Sequence, residues 1–409
     1  MAPGALALAV DDGQLLPGFS RDAGRSYGQP HSGNALIHAE NLDAMQRLAR
    51  GGHRARFRCV YFDPPYNSRR RFAEYDDALD PAAWRVMVTE RLVAARALLS
   101  DDGAIFVEID DTELGALYAA MDEVFGREAR VSTITIVRSA ATGHKAINRG
   151  PVNVADYLLV YAKKRAAWRC NPVSRERAGY DSAYATWLEN PADPCAEWRF
   201  VPLGKKVRLI LGRRPTPGEV EKYALEHAAH VVRFAQPRYE AVSREARLLI
   251  DQSRSGADRP VRLSRTNRKD IVLHRGNRVL FLADKVVMKD GRPTLVEPLT
   301  NVWDDVAFQG IAGEGQARFV RNKKPEKLVS RILSMATDAG DWVLDAYLGS
   351  GTTAAVALKM GRRWIGIERG SHVDTLCIPR LRRVVDGEDQ TGVSRAFGWC
   401  GGGGFDVWT

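Results

Sequence analysis

The chain has 409 residues, 45% hydrophobic and 27% charged, so it can bury a sizeable core in about two or three domains and is not extensively disordered. No apolar run approaches the length of a bilayer-spanning helix, and residues 1–10 lack the basic start and cleavage site of a secretory signal, which predicts a cytosolic protein. The five cysteines, Cys59, Cys170, Cys195, Cys377 and Cys400, form no CxxC pair, which argues against a zinc site and a disulfide framework. The formal net charge is +10, and it is not evenly spread. Residues 166–295 hold 25 Lys and Arg against 15 Asp and Glu, while the remainder holds 35 of each. A localised basic excess suits a surface that binds a polyanion, although a merely solvated basic face would carry the same charge.

Residues 1–30 are rich in Gly, Pro and small side chains without sustained period, and read as a mobile arm. A short strand is predicted at 35–38, a helix at 42–48, and a compact β-favouring strand at 59–62 that Asp63-Pro64-Pro65 stops. The next helix presents Trp84, Met87, Val88, Leu92, Ala95, Leu98 and Leu99 on one face. Asp101-Asp102-Gly103 then reads as a turn into a strand at 104–107, followed by a helix at 112–125 and strands at 131–137 and 157–161. Alternating strands and helices predict an α/β sheet. From 166 to 295 the pattern becomes irregular and Arg-rich, as expected of an inserted domain. Periodicity resumes with the helical stripe Leu328, Val329, Ile332, Leu333 and Ala336, then a strand at 342–345, a Gly-rich turn, a helix at 353–360 and a strand at 364–368.

Two motifs carry chemistry. The turn Asp345-Ala346-Tyr347-Leu348-Gly349-Ser350-Gly351-Thr352-Thr353 lies between an apolar strand and an Ala-rich helix. Its glycines let backbone approach a ligand, the helix N-terminus offers unpaired N–H groups, and Glu368 ends the next strand where a nucleotide fold places a ribose-binding acid. Gly349, Gly351 and Ala354 also satisfy GxGxxA, so this loop alone admits a nicotinamide-dependent oxidoreductase. The second motif, Asp63-Pro64-Pro65-Tyr66, is more specific. Two prolines fix the backbone and remove two N–H groups, so carbonyls can face a site. A carboxylate acceptor and a carbonyl acceptor can grip the two hydrogens of an amino group conjugated to an aromatic ring, while Tyr66 stacks on that ring. The nitrogen lone pair is then aimed at an electrophile, and the stabilisation grows as positive charge develops.

With these motifs in place, the sequence resembles the β class of amino-DNA methyltransferases, and within it the modification subunits of Type III restriction systems. The resemblance covers nearly all of 31–409 and places the catalytic motif before the cofactor loop with target recognition between them. It includes Asn41-Leu42, the segment 103–111, Asn301-Val302-Trp303-Asp304-Asp305, Lys324-Pro325-Glu326-Lys327-Leu328 and the final Gly401-Gly402-Gly403-Gly404-Phe405. The loop has Ala346-Tyr347 where the family usually has Pro-Phe, which keeps an aromatic whose hydroxyl needs a partner. The resemblance implies a seven-stranded, mostly parallel sheet with helices on both faces, divided into catalytic (31–165) and cofactor-binding (296–409) halves around a target-recognition insert (166–295). It implies S-adenosylmethionine as cofactor, held by Asn41, Lys324, Asp345, Tyr347, Gly349, Gly351, Thr352 and Thr353, with Glu368 on the ribose. Asp63, Pro64, Pro65 and Tyr66 would be catalytic, and the reaction would methylate N6 of an adenine flipped from double-stranded DNA.

N4 of cytosine is the nearest alternative target, and a non-catalytic DNA-recognition subunit is the alternative of a different class. Cys195 sits on the wrong side of the cofactor loop for a ring-carbon nucleophile and reads as a loop cysteine. RNA or protein-amide substrates fit a large basic insert less well. Further candidate partners are a second copy of the chain and a restriction-endonuclease subunit. The run Arg69-Arg70-Arg71, beyond Tyr66, is a candidate grip on the strand near the flipped base, and a solvated loop accounts for it equally well.

Overall fold

The computed structural model describes residues 16–68, 78–139, 151–256, 258–266, 269–289, 291–317 and 323–409. Arg69-Arg70-Arg71 lies outside the described residues. The chain divides into two compact units, one of residues 1–173 with 300–409 and one of 174–299.

In the first unit the chain order is β1 (Arg21–Gly28), β2 (Ala35–His38), α1 (Asn41–Arg50), β3 (Phe57–Phe62), α2 (Pro81–Leu98), β4 (Leu99–Ile109), α3 (Leu114–Phe125), β5 (Arg130–Val137) and β6 (Ala155–Ala162). After the second unit come β7 (Val302–Trp303), α4 (Glu326–Ala336), β8 (Trp342–Asp345), α5 (Thr352–Lys359), β9 (Arg363–Glu368), α6 (Ile378–Val385) and β10 (Gly404–Trp408). They form one ten-stranded sheet in the order β1-β10-β2-β9-β8-β3-β4-β6-β5-β7. Its central seven strands, β2 to β5, run parallel except for β6, which is antiparallel to both neighbours. Three strands are added at the edges of the seven expected.

The apolar runs explain this core: Val60, Ile105, Leu344 and Ile365 are buried, and the α2 stripe of Trp84, Val88, Leu92, Ala95 and Leu98 packs with them. Three local expectations are corrected. Residues 21–28, assigned to a mobile arm, pair antiparallel with β10. Pairing is decided by a partner almost 400 residues away, and an edge strand needs no apolar alternation to form. The expected turn at Asp101-Asp102-Gly103 is a bulge inside β4: Phe57 pairs with Leu99 and Cys59 with Ala104, so between these pairs four residues of β4 oppose one of β3. Leu99 begins that strand rather than ending the helix, and is still fully buried.

The second unit has a six-stranded antiparallel sheet and a three-stranded one, with helices Leu203–Leu211, Pro217–Glu226 and Arg244–Ser255 and its own apolar clusters. Among the described residues no helix is long and apolar enough to cross a membrane.

Candidate active site

Sheet register puts the two motifs side by side. Asp345 at the end of β8 lies opposite Tyr61 of β3, and Tyr61 lies opposite Phe106 of β4. Because these strands are parallel, Asp63–Tyr66, the loop after Asp345, and Glu108 all emerge at the carboxyl end of the sheet. β6 is antiparallel with Leu158 opposite Glu108, so Asp156 reaches the same end. From β8 the chain continues to β9 on one side, and from β3 to β4 on the other. The motifs thus flank the switch point at which open α/β sheets bind ligands.

The loop is held by its own carboxylates. Tyr347 N donates to Asp345 Oδ1 at 2.9 Å, the Thr353 hydroxyl bonds the same carboxyl, and burial pushes that carboxyl up to about 7. Gly349 N donates to Glu368 Oε2 at 2.9 Å and Gly370 N to Oε1 at 2.8 Å. Burial alone would raise Glu368, yet His372 and these backbone donors hold it below the usual carboxylate range. Asn41 Nδ2 donates to Ala346 O at 2.9 Å, while Asn41 Oδ1 accepts from Arg91 Nε at 2.6 Å and Arg91 also pairs with Glu40. Asn41 therefore positions the loop from α1. Tyr347 sets its ring edge-on to Phe62 at 5.3 Å, and its hydroxyl finds the Asn41 side chain and, at 3.7 Å, Met87 Sδ.

Two glycines of the loop differ. Gly349 has φ +53°, and a Cβ there would meet nothing nearer than Tyr347 O at 3.9 Å, leaving space through which a ligand can approach the backbone. Gly351 has φ +82°, and a Cβ there would stand 2.9 Å from Cys377 Sγ. Its side chain is excluded by the protein's own packing, so a branched residue at 351 would test folding before it tested ligand binding. The Thr352 hydroxyl is likewise committed, accepting from Arg380 Nη1 at 2.8 Å.

The catalytic turn is braced from α2: Trp84 Nε1 donates to Pro65 O at 2.7 Å. Of the two proline carbonyls, Pro65's is therefore taken from within, and Pro64's is the candidate acceptor for a substrate hydrogen. Asp63 is mostly buried, and burial pushes it up to about 6 against the opposing pull of Lys324. Lys324 Nζ lies 2.9 Å from Asp63 Oδ1, donates to Glu108 Oε1 at 2.8 Å and to Tyr66 Oη at 2.7 Å, and stands 5.0 Å from the Tyr66 ring centroid. The expected partner of Lys324 was the cofactor; in the structure its ammonium bonds Tyr66 and Asp63 of the Asp63–Tyr66 turn and Glu108 of β4.

Sequence reasoning also missed the polar residues beneath the site. Glu108 is fully buried and accepts from Tyr61 Oη at 2.6 Å. Asp156 is buried beside Arg138, 3.0 Å from its Nε, and burial pushes it up to about 7. Behind the loop, Arg380, Glu326, Lys359 and Asp389 form a fully buried ion network, with Arg380 reaching Ser350 as well as Thr352. Glu108 alone left a signal, a single carboxylate inside Phe106-Val107-Glu108-Ile109.

The Asp63–Tyr66 turn and the Gly-rich nucleotide-type loop on neighbouring parallel strands define the class of protein, an α/β fold of the nucleotide-binding kind. The DNA methylase family model matches residues 57–375, and the chain belongs to that family. It is 29% identical to a probable Type III restriction-modification enzyme Mod subunit, HindVI, of Haemophilus influenzae, over 91% of this chain and 53% of that protein. It is 27% identical to the Type II methyltransferase M.EcaI of Enterobacter cloacae, over 82% of this chain and 66% of that protein. With the StyLTI Mod subunit of Salmonella typhimurium the identity is 27%, over 81% and 50%. The chain spans about half to two thirds of the length of these relatives.

Proposed function

We propose that this protein methylates N6 of an adenine extruded from duplex DNA, with S-adenosylmethionine as methyl donor. The observation that carries the reading is the emergence of Asp63-Pro64-Pro65-Tyr66 and the Asp345–Thr353 loop from adjacent parallel strands at the sheet's switch point. The Asp63 carboxylate and the Pro64 carbonyl accept the two hydrogens of the amino group, and Tyr66 stacks on the base. Acceptors fixed beforehand favour the transition state, because nitrogen gains positive charge as the methyl arrives. Asp63 then stands ready to take the proton that the methylated nitrogen must lose.

The open backbone at Gly349 and the anchored Glu368 carboxylate fit a nucleoside with a ribose diol. Asp345, Tyr347, Gly349, Thr353 and Glu368 would hold S-adenosylmethionine, with Asn41, Gly351 and Thr352 shaping the loop. When bound, S-adenosylmethionine supplies an electrophilic methyl group. The basic unit 174–299 overlaps the expected insert, 166–295, and serves as the target-recognition domain. The likeness to two Mod subunits of Type III enzymes supports modification in company with an endonuclease subunit.

The test is methyl transfer from labelled S-adenosylmethionine to unmethylated genomic DNA, followed by nucleoside analysis. N6-methyladenine is the expected product. N4-methylcytosine would move the same chemistry to cytosine, and DNA bound but never labelled would leave only a recognition subunit.

A further inference from the structure

We propose that Lys324 is a positioning residue whose ammonium keeps Asp63 ionised and, held between Asp63 and the Tyr66 hydroxyl, keeps the place at Asp63 that the target amino group later takes. This inference rests on the reading of Asp63 and Tyr66 as the partners of that amino group.

Three observations lead to it. First, two of the three groups that grip the Lys324 ammonium, Asp63 and Tyr66, are those assigned to the substrate, and the third, Glu108, is not. Lys324 can release the first two to an incoming base and stay tethered to Glu108, whose second oxygen is fixed by Tyr61 Oη. Second, the ammonium lies 2.7 Å from Tyr66 Oη and 5.0 Å from the ring centroid, so it sits at the hydroxyl end of the ring beside Asp63 and leaves the π face to the base. Third, the charges facing Asp63 are unbalanced without it. They comprise Glu108 from β4, Asp156 from β6 with Arg138 beside it, Asp345 from β8, the phenols of Tyr61 and Tyr66, and Lys324. Burial alone would lower the lysine, but Asp63, Glu108 and Asp156 push it above its ordinary range, so it stays charged. Removing that cation would leave Asp63 buried beside Glu108, and like charges sharing a site cannot both remain ionised. A protonated Asp63 presents a hydrogen where the amino group needs an acceptor.

The experiment uses the full chain with 13C-carboxyl-labelled aspartate, Asp63→Asn identifying the Asp63 signal, and the pH profile of kcat for methyl transfer to DNA. In Lys324→Met the Asp63 titration and the acid limb of kcat should both move up by about one pH unit or more, the scale set by a cation at this distance. Lys324→Arg should restore the limb, and Glu108→Gln, which removes the like charge and keeps the lysine, should move both down. The affinity for S-adenosylmethionine, measured by calorimetry, should change by less than about threefold in Lys324→Met, roughly half the tenfold step of 1.4 kcal/mol. An unmoved Asp63 titration in both Lys324→Met and Glu108→Gln would overturn the proposal. So would a tenfold loss of cofactor affinity with the acid limb unchanged, which would return Lys324 to the cofactor. Should Asp63→Asn methylate DNA at the wild-type rate, the reading of Asp63 fails instead, whatever the titrations of Lys324→Met show.

Discussion

In the role proposed for it, Asp63 has to satisfy two opposed demands: burial beside the reacting nitrogen, and a negative charge with which to accept its hydrogen. Burial pushes it up to about 6, so near neutral pH the carboxylate still predominates. The catalytic rate should therefore rise with pH through about 6 and level off above, because only the ionised form accepts. A pH profile of kcat flat from 5 to 8 would contradict that assignment. Asp63→Ala should lower the rate by at least about two orders of magnitude, the scale for deleting one preorganised polar group. A folded variant with near wild-type methylation would remove Asp63 from the chemistry. The tetrapeptide stood out in the sequence because a Gly-rich loop and an acidic strand end accompany it, since Asp-Pro-Pro-Tyr alone also reads as a rigid turn. Its surroundings were not. Glu108 and Asp156 meet Asp63 only through sheet pairing, and nothing in Lys324-Pro325-Glu326 tells which way a four-carbon side chain turns.

At the scale of elements, the first turn of α4 serves both halves of the site. Lys324 just before it holds the Asp63–Tyr66 turn, and Glu326 inside it holds Arg380, which in turn holds Ser350 and Thr352 of the 345–353 loop. The helix was legible from its stripe of Leu328, Val329, Ile332, Leu333 and Ala336, all buried. Its buried charges were not, because Arg380 and Lys359 sit in other helices and an arginine in Arg-rich α6 reads as solvated. The network makes a graded prediction. Without Arg380, Glu326 is still neutralised by Lys359; without Glu326, the hydrogen bonds left to Arg380 among the described residues go to the neutral acceptors Ser350 and Thr352. Glu326→Gln should thus destabilise more than Arg380→Met, with a cost of about 3–5 kcal/mol, typical of stranding a buried charge. Thermal melting of the two variants checks the order. Equal melting temperatures would mean that Lys359 and Asp389 carry the network without Glu326.

For the whole molecule, a separate inserted segment was legible in the charge pattern. The basic excess and loss of periodicity after 166 marked an insert, and the chain does separate into units at 174–299 and the remainder. The strand at 21–28 was not legible, since its partner is the end of the chain and its side chains carry no apolar alternation. Within the second unit, the helix Leu203–Leu211 and the loop after it leave Lys205, Arg208 and Arg214 exposed. If this unit grips the duplex, those cations neutralise phosphates and release counterions, so affinity should fall steeply with salt. Replacing all three by Gln should weaken binding to any duplex and flatten log K against log salt by about 0.9 for each phosphate that is no longer neutralised. The same variant should bind S-adenosylmethionine normally and keep its rate at saturating DNA, because its chemistry resides in the other unit. Fluorescence anisotropy of a labelled duplex at several salt concentrations measures the slope. A salt slope equal to that of the wild type would show that the duplex is held by other residues, and an equal loss of cofactor binding would show that the two units do not divide the work.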